Sequence, residues 1–523
     1  MGNSLSFFIW KQRKNTEIDL SKKHLKLLPK ILKKCKRLQR LNLSENNLSE
    51  LPQFIEDFKQ LETINISINS INSFPFDLPI SIIEINASKN RLFYSPITPK
   101  IGQLQNLKIL DLSFNQLEEI PEEFKNLKNL KTLNLNNNSL VNIPGSLLVL
   151  CDLEKLNLSF NKIKIISPDF SKLTSLKTLY LSNNSINKLP DNFGKLIKLQ
   201  KLDLHENLLK TVPESIGEMI ELQNLNLSKN SKLDDLPLTL SKLTNLKILN
   251  LEETLLANIP TSYKNLTGLV ELNLQGNQNL EEIPLFLEFI VNLKKLNLDS
   301  CSLKKVPEFI CNLKFLVTLD LRKNLLSSFA LPSSIKEMQE LQYLTLGNNN
   351  LEALPDEICE LKNLKELDLN NNLIILLPDE LGLLKNLVKL LINSNKLESI
   401  PSSIKSMQSL QVLEIRHNLL TTLPPELGEL KSLHKLDLSR NKLNILPTEM
   451  HNLSNLQSLD LGDNPFDNPP QPIIVQGCEA VLMFLKEQHE QKLDKSNKKR
   501  VENLNEKIYS KNNTSFQSMT KGF

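Results

Sequence analysis

Histidine and cysteine, the residues that most often perform catalysis or hold metal ions, are scattered along this chain. The six histidines (His24, His205, His417, His434, His451, His489) and six cysteines (Cys35, Cys151, Cys301, Cys311, Cys359, Cys478) form no CxxC pair, HExxH motif or other metal-ligand spacing. The sequence also has no G-x-x-x-x-G-K-[ST] phosphate loop, protein-kinase signature set or G-x-S-x-G motif. We therefore predict no enzyme activity, no metal site and no cofactor.

The N-terminal residues fit a lipid-attachment motif. The opening MGNSLS matches M-G-x-x-x-[ST], in which Gly2 becomes the N-myristoyl acceptor once the initiator Met is removed. One myristoyl chain holds a protein on a membrane only weakly, and Lys11, Arg13 and Lys14 offer a second attraction to an anionic leaflet. We predict lipidation of Gly2 and peripheral membrane contact. The alternative is an unmodified leader in which residues 7–10 cover the first repeat.

Nearly the whole chain repeats one phrase, LxxLxLxxNxLxxLP, most often every 23 residues. Twenty copies align on the asparagine position, and only Lys23, Thr254 and Cys301 replace asparagine there. A leucine phrase of this period is the signature of a leucine-rich-repeat solenoid. We therefore predict an α/β repeat solenoid, a leucine-rich-repeat horseshoe of about twenty repeats. Its parallel sheet would lie on the concave side and short helical or 3₁₀ segments on the convex side.

Residues 361–378 show how one repeat should fold. Leu367 and Leu369 alternate with polar neighbours, which predicts a short strand with its leucines in the core. The amide of Asn372 can both donate and accept, so it can bond main-chain groups where the chain turns. Stacked repeats would then form a continuous asparagine ladder. Pro378 ends the turn and favours a short helical or 3₁₀ segment after it.

Function must be sought at the positions that this fold leaves facing solvent, which lie 6, 4, 2 and 1 residues before the asparagine position. Aromatic residues and arginine anchor many interfaces, whereas single charged residues often only keep a surface hydrated. We predict a protein-binding face. Its candidate contact residues are Phe114, Phe160, Tyr180, Asp203, His205, Glu206, Asp320, Arg322, Lys323, Tyr343, Asp368, Glu414, Arg416 and Arg440.

The formal net charge of +4 conceals an uneven distribution. Residues 1–40 carry twelve basic and two acidic residues (+10), residues 486–523 carry nine and five (+4), and −10 is left for the residues between them. An acidic solenoid argues against nucleic acid and favours basic protein partners, while the basic N-terminus favours an anionic surface. The disulfide-rich caps of secreted repeat proteins are missing, which predicts a cytoplasmic location.

The chain divides into four predicted parts: an N-terminal leader over 1–15, the solenoid over 16–470, a C-terminal capping helix over 471–490 and a disordered charged tail over 491–523. The capping helix is predicted from Val481, Phe484 and Leu485, which recur at helical spacing. A solenoid exposes apolar layers at its ends and needs such caps. The tail is polar and charged throughout, a composition typical of disorder.

The repeat phrase LxxLxLxxNxLxxLPxxIxxLxx without cysteine caps resembles the Ras-group intracellular leucine-rich-repeat proteins, the Shoc-two/Sur-eight scaffold family. Residues 92–102 (LFYSPITPKIG) and 469–481 (PPQPIIVQGCEAV) are similar to those of a member from social amoebae. The resemblance implies a scaffold that binds an active Ras-type GTPase on its concave face and recruits a phosphatase or kinase of that pathway. We also predict that the protein is a monomer. Residues 1–15 lack a basic-x-Val-x-Phe phosphatase-docking motif, which argues against phosphatase recruitment.

Three functions fit these patterns. The first is a non-enzymatic signalling scaffold that engages a Ras-type small GTPase at the inner face of the plasma membrane. The second is a structural or cytoskeletal adaptor whose binding does not depend on nucleotide. The third is a fragment of an immune or ligand-sensing receptor, which the absence of nucleotide-binding and kinase motifs disfavours.

Overall fold

The computed structural model of the chain describes residues 2–73, 78–94 and 97–519. Two compact units meet in sequence between Asn297 and Leu298. Both units are built from the same layer: a three-residue strand, a turn and, in most repeats, a 3₁₀ segment. The predicted leucine-rich-repeat solenoid is confirmed in this layer.

Strands of successive repeats in the first unit pair in parallel, and equivalent leucines face each other. Leu202 is the register partner of both Leu179 and Leu225. Two short strands, β5 and β7, pair apart from the main sheet. The strands of this unit are β1 (Glu17–Asp19), β2 (Arg40–Asn42), β3 (Thr63–Asn65), β4 (Glu84–Asn86), β5 (Phe93–Tyr94), β6 (Ile109–Asp111), β7 (Gln116–Leu117), β8 (Thr132–Asn134), β9 (Lys155–Asn157), β10 (Thr178–Tyr180), β11 (Lys201–Asp203), β12 (Asn224–Asn226), β13 (Ile248–Asn250), β14 (Glu271–Asn273) and β15 (Lys295–Asn297).

The second unit continues the same pattern of parallel pairing, as in Leu367 with Leu344 and Leu390. Leu367 and Leu369 are fully buried while Glu366 and Asp368 are partly exposed, so the predicted two-residue alternation is confirmed. Its strands are β16 (Thr318–Asp320), β17 (Tyr343–Thr345), β18 (Glu366–Asp368), β19 (Lys389–Leu391), β20 (Val412–Glu414), β21 (Lys435–Asp437) and β22 (Ser458–Asp460).

Short 3₁₀ segments return the chain from one strand to the next, and most begin directly after a proline, whose fixed φ suits the start of a helical turn. Pro378 precedes Asp379–Leu383 as the sequence predicts. The segments of the first unit are Lys30–Lys34, Gln53–Asp57, Pro99–Gln103, Glu122–Asn126, Pro168–Lys172, Phe193–Lys195, Glu214–Glu218, Leu238–Lys242, Thr261–Asn265 and Leu285–Phe289. Those of the second are Glu308–Asn312, Ser333–Glu337, Asp356–Glu360, Asp379–Leu383, Ser402–Ser406, Pro425–Glu429 and Thr448–Asn452.

The asparagine ladder forms as predicted. Asn372 Nδ2 donates to the carbonyls of Leu346 and Leu369 (3.0 Å each), and its Oδ1 accepts from the N–H of Leu351 (3.1 Å). One buried side chain thereby satisfies main-chain groups of two adjacent repeats. At the substituted position Thr254, Oγ1 lies 2.6 Å from Asn277 Oδ1 and 3.1 Å from the carbonyl oxygen of Leu251. Its single proton can be donated to the nearer acceptor, Asn277 Oδ1, so the ladder continues through it.

Helices lie at both termini: α1 (Gly2–Lys11), α2 (Gln471–Ile474) and α3 (Cys478–Met519). Helix α3 packs on the 3₁₀ segment Thr448–Asn452 and buries Val481 and Leu485. The structure describes α3 as a helix beyond 490, to Met519, over part of the segment predicted to be a disordered tail; residues 520–523 of that segment lie outside the described residues. Residues 491–507 are exposed, so their helix is supported by Lys, Glu and Gln propensity rather than by packing. Of the described helices, none is both long and apolar enough to cross a bilayer.

Candidate protein-binding face

The side chains that the strands turn away from the core form a continuous set of positions in each unit. We call this set the strand face: the first and third residues of each main-sheet strand and the two residues directly before each ladder position. In β18 these residues are Glu366, Asp368, Asn370 and Asn371. All of the residues predicted to contact a partner lie on the strand face, six in the first unit and eight in the second.

The residue directly before each ladder position has left-handed backbone, which the sequence analysis missed. Phe114 (φ +53°) and Phe160 (φ +55°) are among these residues, as are Lys323 and Arg440. The turn requires this geometry: the N–H of Phe160 donates to the carbonyl of Ser182 in the next repeat (2.9 Å). Left-handed backbone costs an L-residue about 1–2 kcal/mol. Asparagine and glycine tolerate it best, but they occupy this position in only five of the twenty repeats (Asn137, Asn183, Gly276, Asn348 and Asn371), so the signal in the sequence is weak.

Phe114 and Phe160 nevertheless carry large rings there, 46% and 49% exposed. The ammonium of Lys89 lies 5.3 Å from the ring centroid of Phe114. Tyr180, also in the first unit, has the ammonium of Lys201 at 5.1 Å from its ring. The first unit therefore presents aromatic side chains flanked by cations, which is a composition typical of interface anchors.

Asp203 and His205 form a hydrogen-bonded chain beside Tyr180, which is the register partner of Asp203. Asp203 Oδ1 lies 2.9 Å from His205 Nδ1, and His205 Nε2 lies 3.0 Å from Asn183 Nδ2. With the Asn183 amide donating to Nε2, the proton of the neutral ring lies on Nδ1 and points to Asp203. Both ring nitrogens are thus engaged, and the arrangement orients the imidazole on the surface rather than activating a nucleophile. Glu206 follows, exposed and left-handed.

The third residue of most strands performs a second structural task. Its side-chain oxygen accepts the N–H two residues later, as Asp203 does from His205 (3.2 Å), Asp320 from Arg322 (3.1 Å) and Asp368 from Asn370 (3.0 Å). Asparagine does the same in other repeats. These three candidate carboxylates therefore hold their own turn, a role that the sequence analysis missed although Asn and Asp recur at this position.

Ion pairs join neighbouring residues on the strand face of the second unit. Arg322 donates two hydrogen bonds to the carboxylate of Asp320, from Nε to Oδ1 (3.0 Å) and from Nη2 to Oδ2 (2.6 Å). Lys435 Nζ lies 2.6 Å from Glu414 Oε1. Burial raises the pKa of Glu414, but hydrogen bonds from Lys435 and Asn393 outweigh burial and hold that pKa below its usual value.

Other candidates of the second unit remain accessible. Tyr343 is 39% exposed, and Arg416 is also exposed. The ammonium of Lys323 lies 3.8 Å from Asp299 Oδ2, and Arg440 Nε lies 3.2 Å from Asp463 Oδ2. Asp299 is buried, whereas both members of the Arg440–Asp463 pair are exposed. Water screens such an exposed pair, so it contributes little stability and a partner can compete for Arg440.

Buried thiols offer no nucleophile. Burial raises the pKa of Cys311 and raises the pKa of Cys359 to about 12, so both remain protonated near neutral pH. Within residues 2–73, 78–94 and 97–519, no group of three or more His, Cys, Asp or Glu side chains could hold a metal ion.

Profiles of leucine-rich repeats match long stretches of the chain. The profile described as a leucine-rich repeat region matches residues 333–422, and the one described as a leucine rich repeat matches residues 129–186, 151–209, 174–231 and 408–466. A two-copy profile matches residues 105–147, and a single-repeat profile matches residues 37–58 and 292–313. No curated protein matches the sequence.

Solved structures share the fold. A leucine-rich-repeat protein from Leptospira interrogans is 31% identical, with 87% of this chain and 98% of that chain covered and a TM-score of 0.56. The plant peptide hormone receptor RGFR1, solved in complex with RGF2, is 27% identical over 86% of each chain (TM-score 0.53).

YopM from Yersinia enterocolitica, at 24% identity over 88% of this chain and 89% of its own (TM-score 0.62), shows the fold alone. Leucine-rich-repeat proteins are generally non-enzymatic scaffolds for protein interaction. The repeat period, the layer geometry and the match to the Leptospira protein agree, and the chain belongs to the leucine-rich-repeat proteins.

Proposed function

We propose that this protein is a non-enzymatic signalling scaffold whose strand face binds a protein partner. One observation carries the proposal: Phe114 and Phe160 expose aromatic rings from left-handed backbone that suits Asn or Gly better. Folding gains little from these rings, whereas an interface would bury them. The complex of the related receptor RGFR1 with RGF2 supports a peptide or protein as the class of partner.

A Ras-type small GTPase is the partner that the sequence favours. The support is the resemblance of the repeat phrase to the Shoc-two/Sur-eight scaffold family. The acidic balance of the solenoid separately favours a basic surface on the protein that binds. A kinase of the same pathway would bind as a further protein, whereas a phosphatase is less favoured because residues 1–15 lack the basic-x-Val-x-Phe docking motif. Such a scaffold would act in the cytoplasm, at the inner face of the plasma membrane.

The test is capture of purified small GTPases loaded with GDP or with a non-hydrolysable GTP analogue. The altered protein carries Phe114→Ser, Phe160→Ser and Arg416→Glu. Asp320 is left unchanged because its carboxylate holds its own turn, and reversal there would confuse folding with binding. The matched control is Phe315→Ser, a ring 55% exposed that lies off the strand face.

GTP-selective capture that the triple variant loses and the control retains supports the proposal. Capture that survives the triple variant contradicts the strand face as the binding surface. Capture of cytoskeletal proteins from cytosol whatever nucleotide is present favours the adaptor function instead.

We also propose that Gly2 carries an N-myristoyl group. Gly2 is the first residue of α1, in the motif MGNSLS. Metabolic labelling with a myristate analogue should mark the wild-type chain and not Gly2→Ala. Equal labelling of the two would contradict lipidation at this residue.

A further inference from the structure

Among residues 6–11 of helix α1, whose side chains the structure describes, Ile9 is buried and the aromatic residues are exposed. Ile9 is fully buried where α1 packs on the 3₁₀ segment Lys30–Lys34. Phe7, Phe8 and Trp10 are 56%, 39% and 44% exposed. Covering the first layer therefore accounts for Ile9 alone, and three large rings on ten residues of helix require another explanation.

Cations lie directly against these rings. Phe7 and Trp10 stack with centroids 6.4 Å apart. Lys11 Nζ is 4.7 Å from the Phe7 ring centroid, and the Arg13 guanidinium carbon is 4.0 Å from that of Trp10. Arg13 also donates to the carbonyl of Trp10 (2.8 Å), which fixes the guanidinium at the end of the helix. Aromatic rings and cations at one level are typical of the boundary between lipid headgroups and acyl chains.

The surroundings of α1 carry the matching charge. Residues 1–40 have a formal charge of +10, with only Glu17 and Asp19 acidic. The 3₁₀ segment that supports α1 contributes Lys30, Lys33 and Lys34. An anionic surface would therefore attract this end of the chain before any ring made contact.

We propose that α1 and the segment Lys30–Lys34 form a lipid-binding face that inserts Phe7, Phe8 and Trp10 into the headgroup region of an anionic bilayer. This face acts without a lipid on Gly2. The inference deepens the proposed location at a membrane but is independent of any partner on the strand face. A nucleic acid fits less well, because bases need open ring faces to stack and Arg13 and Lys11 lie over two of them.

Trp10 is the only tryptophan in the chain, so its fluorescence reports on this face alone. The full chain is produced in a host without N-myristoyltransferase and mixed with phosphatidylcholine vesicles with or without phosphatidylserine. We expect a blue shift of Trp10 emission and co-sedimentation with the phosphatidylserine vesicles, both weakened by added salt. Absence of the shift, or equal binding to phosphatidylcholine alone, would overturn the proposal.

Two double variants distinguish the contribution of aromatic insertion from that of positive charge to vesicle binding. Phe7→Ser with Phe8→Ser, and separately Lys11→Glu with Arg13→Glu, should each weaken vesicle binding about tenfold or more. Ile9 is retained so that α1 stays attached, and unchanged thermal unfolding confirms this. The control Ile165→Ser removes an apolar side chain that is 67% exposed elsewhere in the first unit and should leave binding unchanged.

Two results would count against a bilayer as the ligand. Binding that both aromatic substitutions leave intact would overturn insertion. An equal blue shift with an acidic polypeptide or RNA, in the absence of lipid, would assign the face to that class of molecule. The vesicles contain no partner protein, and the chain made in this host carries no myristoyl group. A negative result therefore counts against the lipid-binding face alone, not against strand-face binding or Gly2 lipidation.

Discussion

Phe114 and Phe160 hold exposed aromatic rings on left-handed backbone, at a position where other repeats carry Asn137 and Asn183. Asparagine tolerates this geometry at less cost than phenylalanine does. The rings thus lower stability and supply contact area. Binding and stability should be separable at these residues.

Phe160→Asn tests this separation. We expect thermal unfolding at the same or a higher temperature, since the change relieves part of the roughly 1–2 kcal/mol cost of left-handed backbone. Capture of the partner should weaken in the same protein. A lower unfolding temperature would contradict the argument. Phe315→Asn is the control: that ring is also exposed, but its backbone is not left-handed, so no gain is expected.

The folded protein disfavours the ionised form of the Asp368 carboxyl group. Burial raises its pKa, while its Oδ1 accepts the N–H of Asn370 (3.0 Å). Asparagine keeps that acceptor without the charge, as Asn226 does towards Ser228 in the first unit (3.2 Å). We expect Asp368→Asn to be more stable than wild type at pH 7.

The pH dependence follows from the sign of this shift. As pH rises above the ordinary Asp pKa, the unfolded chain loses its proton first, so wild-type stability falls relative to the Asn variant until the folded carboxyl also ionises. Chemical unfolding at a series of pH values should show the two proteins converging near pH 3. A difference that is independent of pH would mean that the carboxylate is not the cause.

The sequence predicts which residues face outward, but it does not predict the hydrogen bonds that some of them make within their own turn. Asp203, Asp320 and Asp368 were predicted only as contacts, whereas each accepts a main-chain N–H in its own turn. A carboxylate on a predicted surface looks the same in either role, because the distinction depends on a hydrogen bond between residues two apart in a turn of unknown geometry. The recurrence of Asn and Asp at the third strand residue is the sign of this role in the sequence.

At the scale of the element, the 3₁₀ segments of adjacent repeats approach so closely that some positions exclude a side chain. A Cβ on Gly382 would overlap the carbonyl of Ser403. The N–H of Gly382 also donates a hydrogen bond to Ser403 Oγ (3.2 Å), which holds the two segments together. Gly145 is different, with no atom close enough to meet a Cβ. Glycine is therefore required at one position and merely present at the other.

Gly382→Ala should destabilise the second unit by about 1–3 kcal/mol, because the backbone of two packed segments must separate. Gly145→Ala should be neutral or slightly stabilising, since alanine restricts the unfolded chain more. Denaturant unfolding of the two variants beside wild type is the measurement. Equal effects at both positions would show that close approach does not decide the cost.

The elements themselves were largely predictable, because their signals lie within one period. The alternation at Leu367 and Leu369, the turn at Asn372 and the stop at Pro378 each depend on neighbours in sequence. The extension of α3 to Met519 was not predicted, since residues 491–507 have no apolar stripe that packing would require. Helix α1 was not predicted either, because Ile9, the one buried residue among its described side chains at 6–11, sets no periodic pattern.

At the scale of the whole molecule, stability depends on how the last layer is covered. Helix α3 places Val481 and Leu485 over Thr448–Asn452, and the rings of His451 and His489 lie 4.7 Å apart. Without this cover the final repeat would expose its leucines to water. The cap should therefore protect the end of the second unit first and more distant repeats less.

Leu485→Ala should cost about 2–5 kcal/mol at the capped end, the usual cost of truncating a buried leucine. Hydrogen exchange should accelerate most in β21 and β22 and least in β16. Met483→Ala, at a side chain 60% exposed on the same helix, should change neither. Uniform acceleration across the second unit would mean that its repeats unfold as one block rather than from the end.

The parallel pairing of each strand with its sequence neighbours also sets how the protein responds to mechanical load. Tension on the two ends would act on one layer of short strands at a time, because the described strands pair with strands of adjacent repeats. Each layer that yields would release 23 residues in the commonest repeat, or about 80 Å of extended chain. Under tension the molecule would therefore lengthen in small, regular steps, one repeat at a time, and each unfolding step would absorb mechanical work.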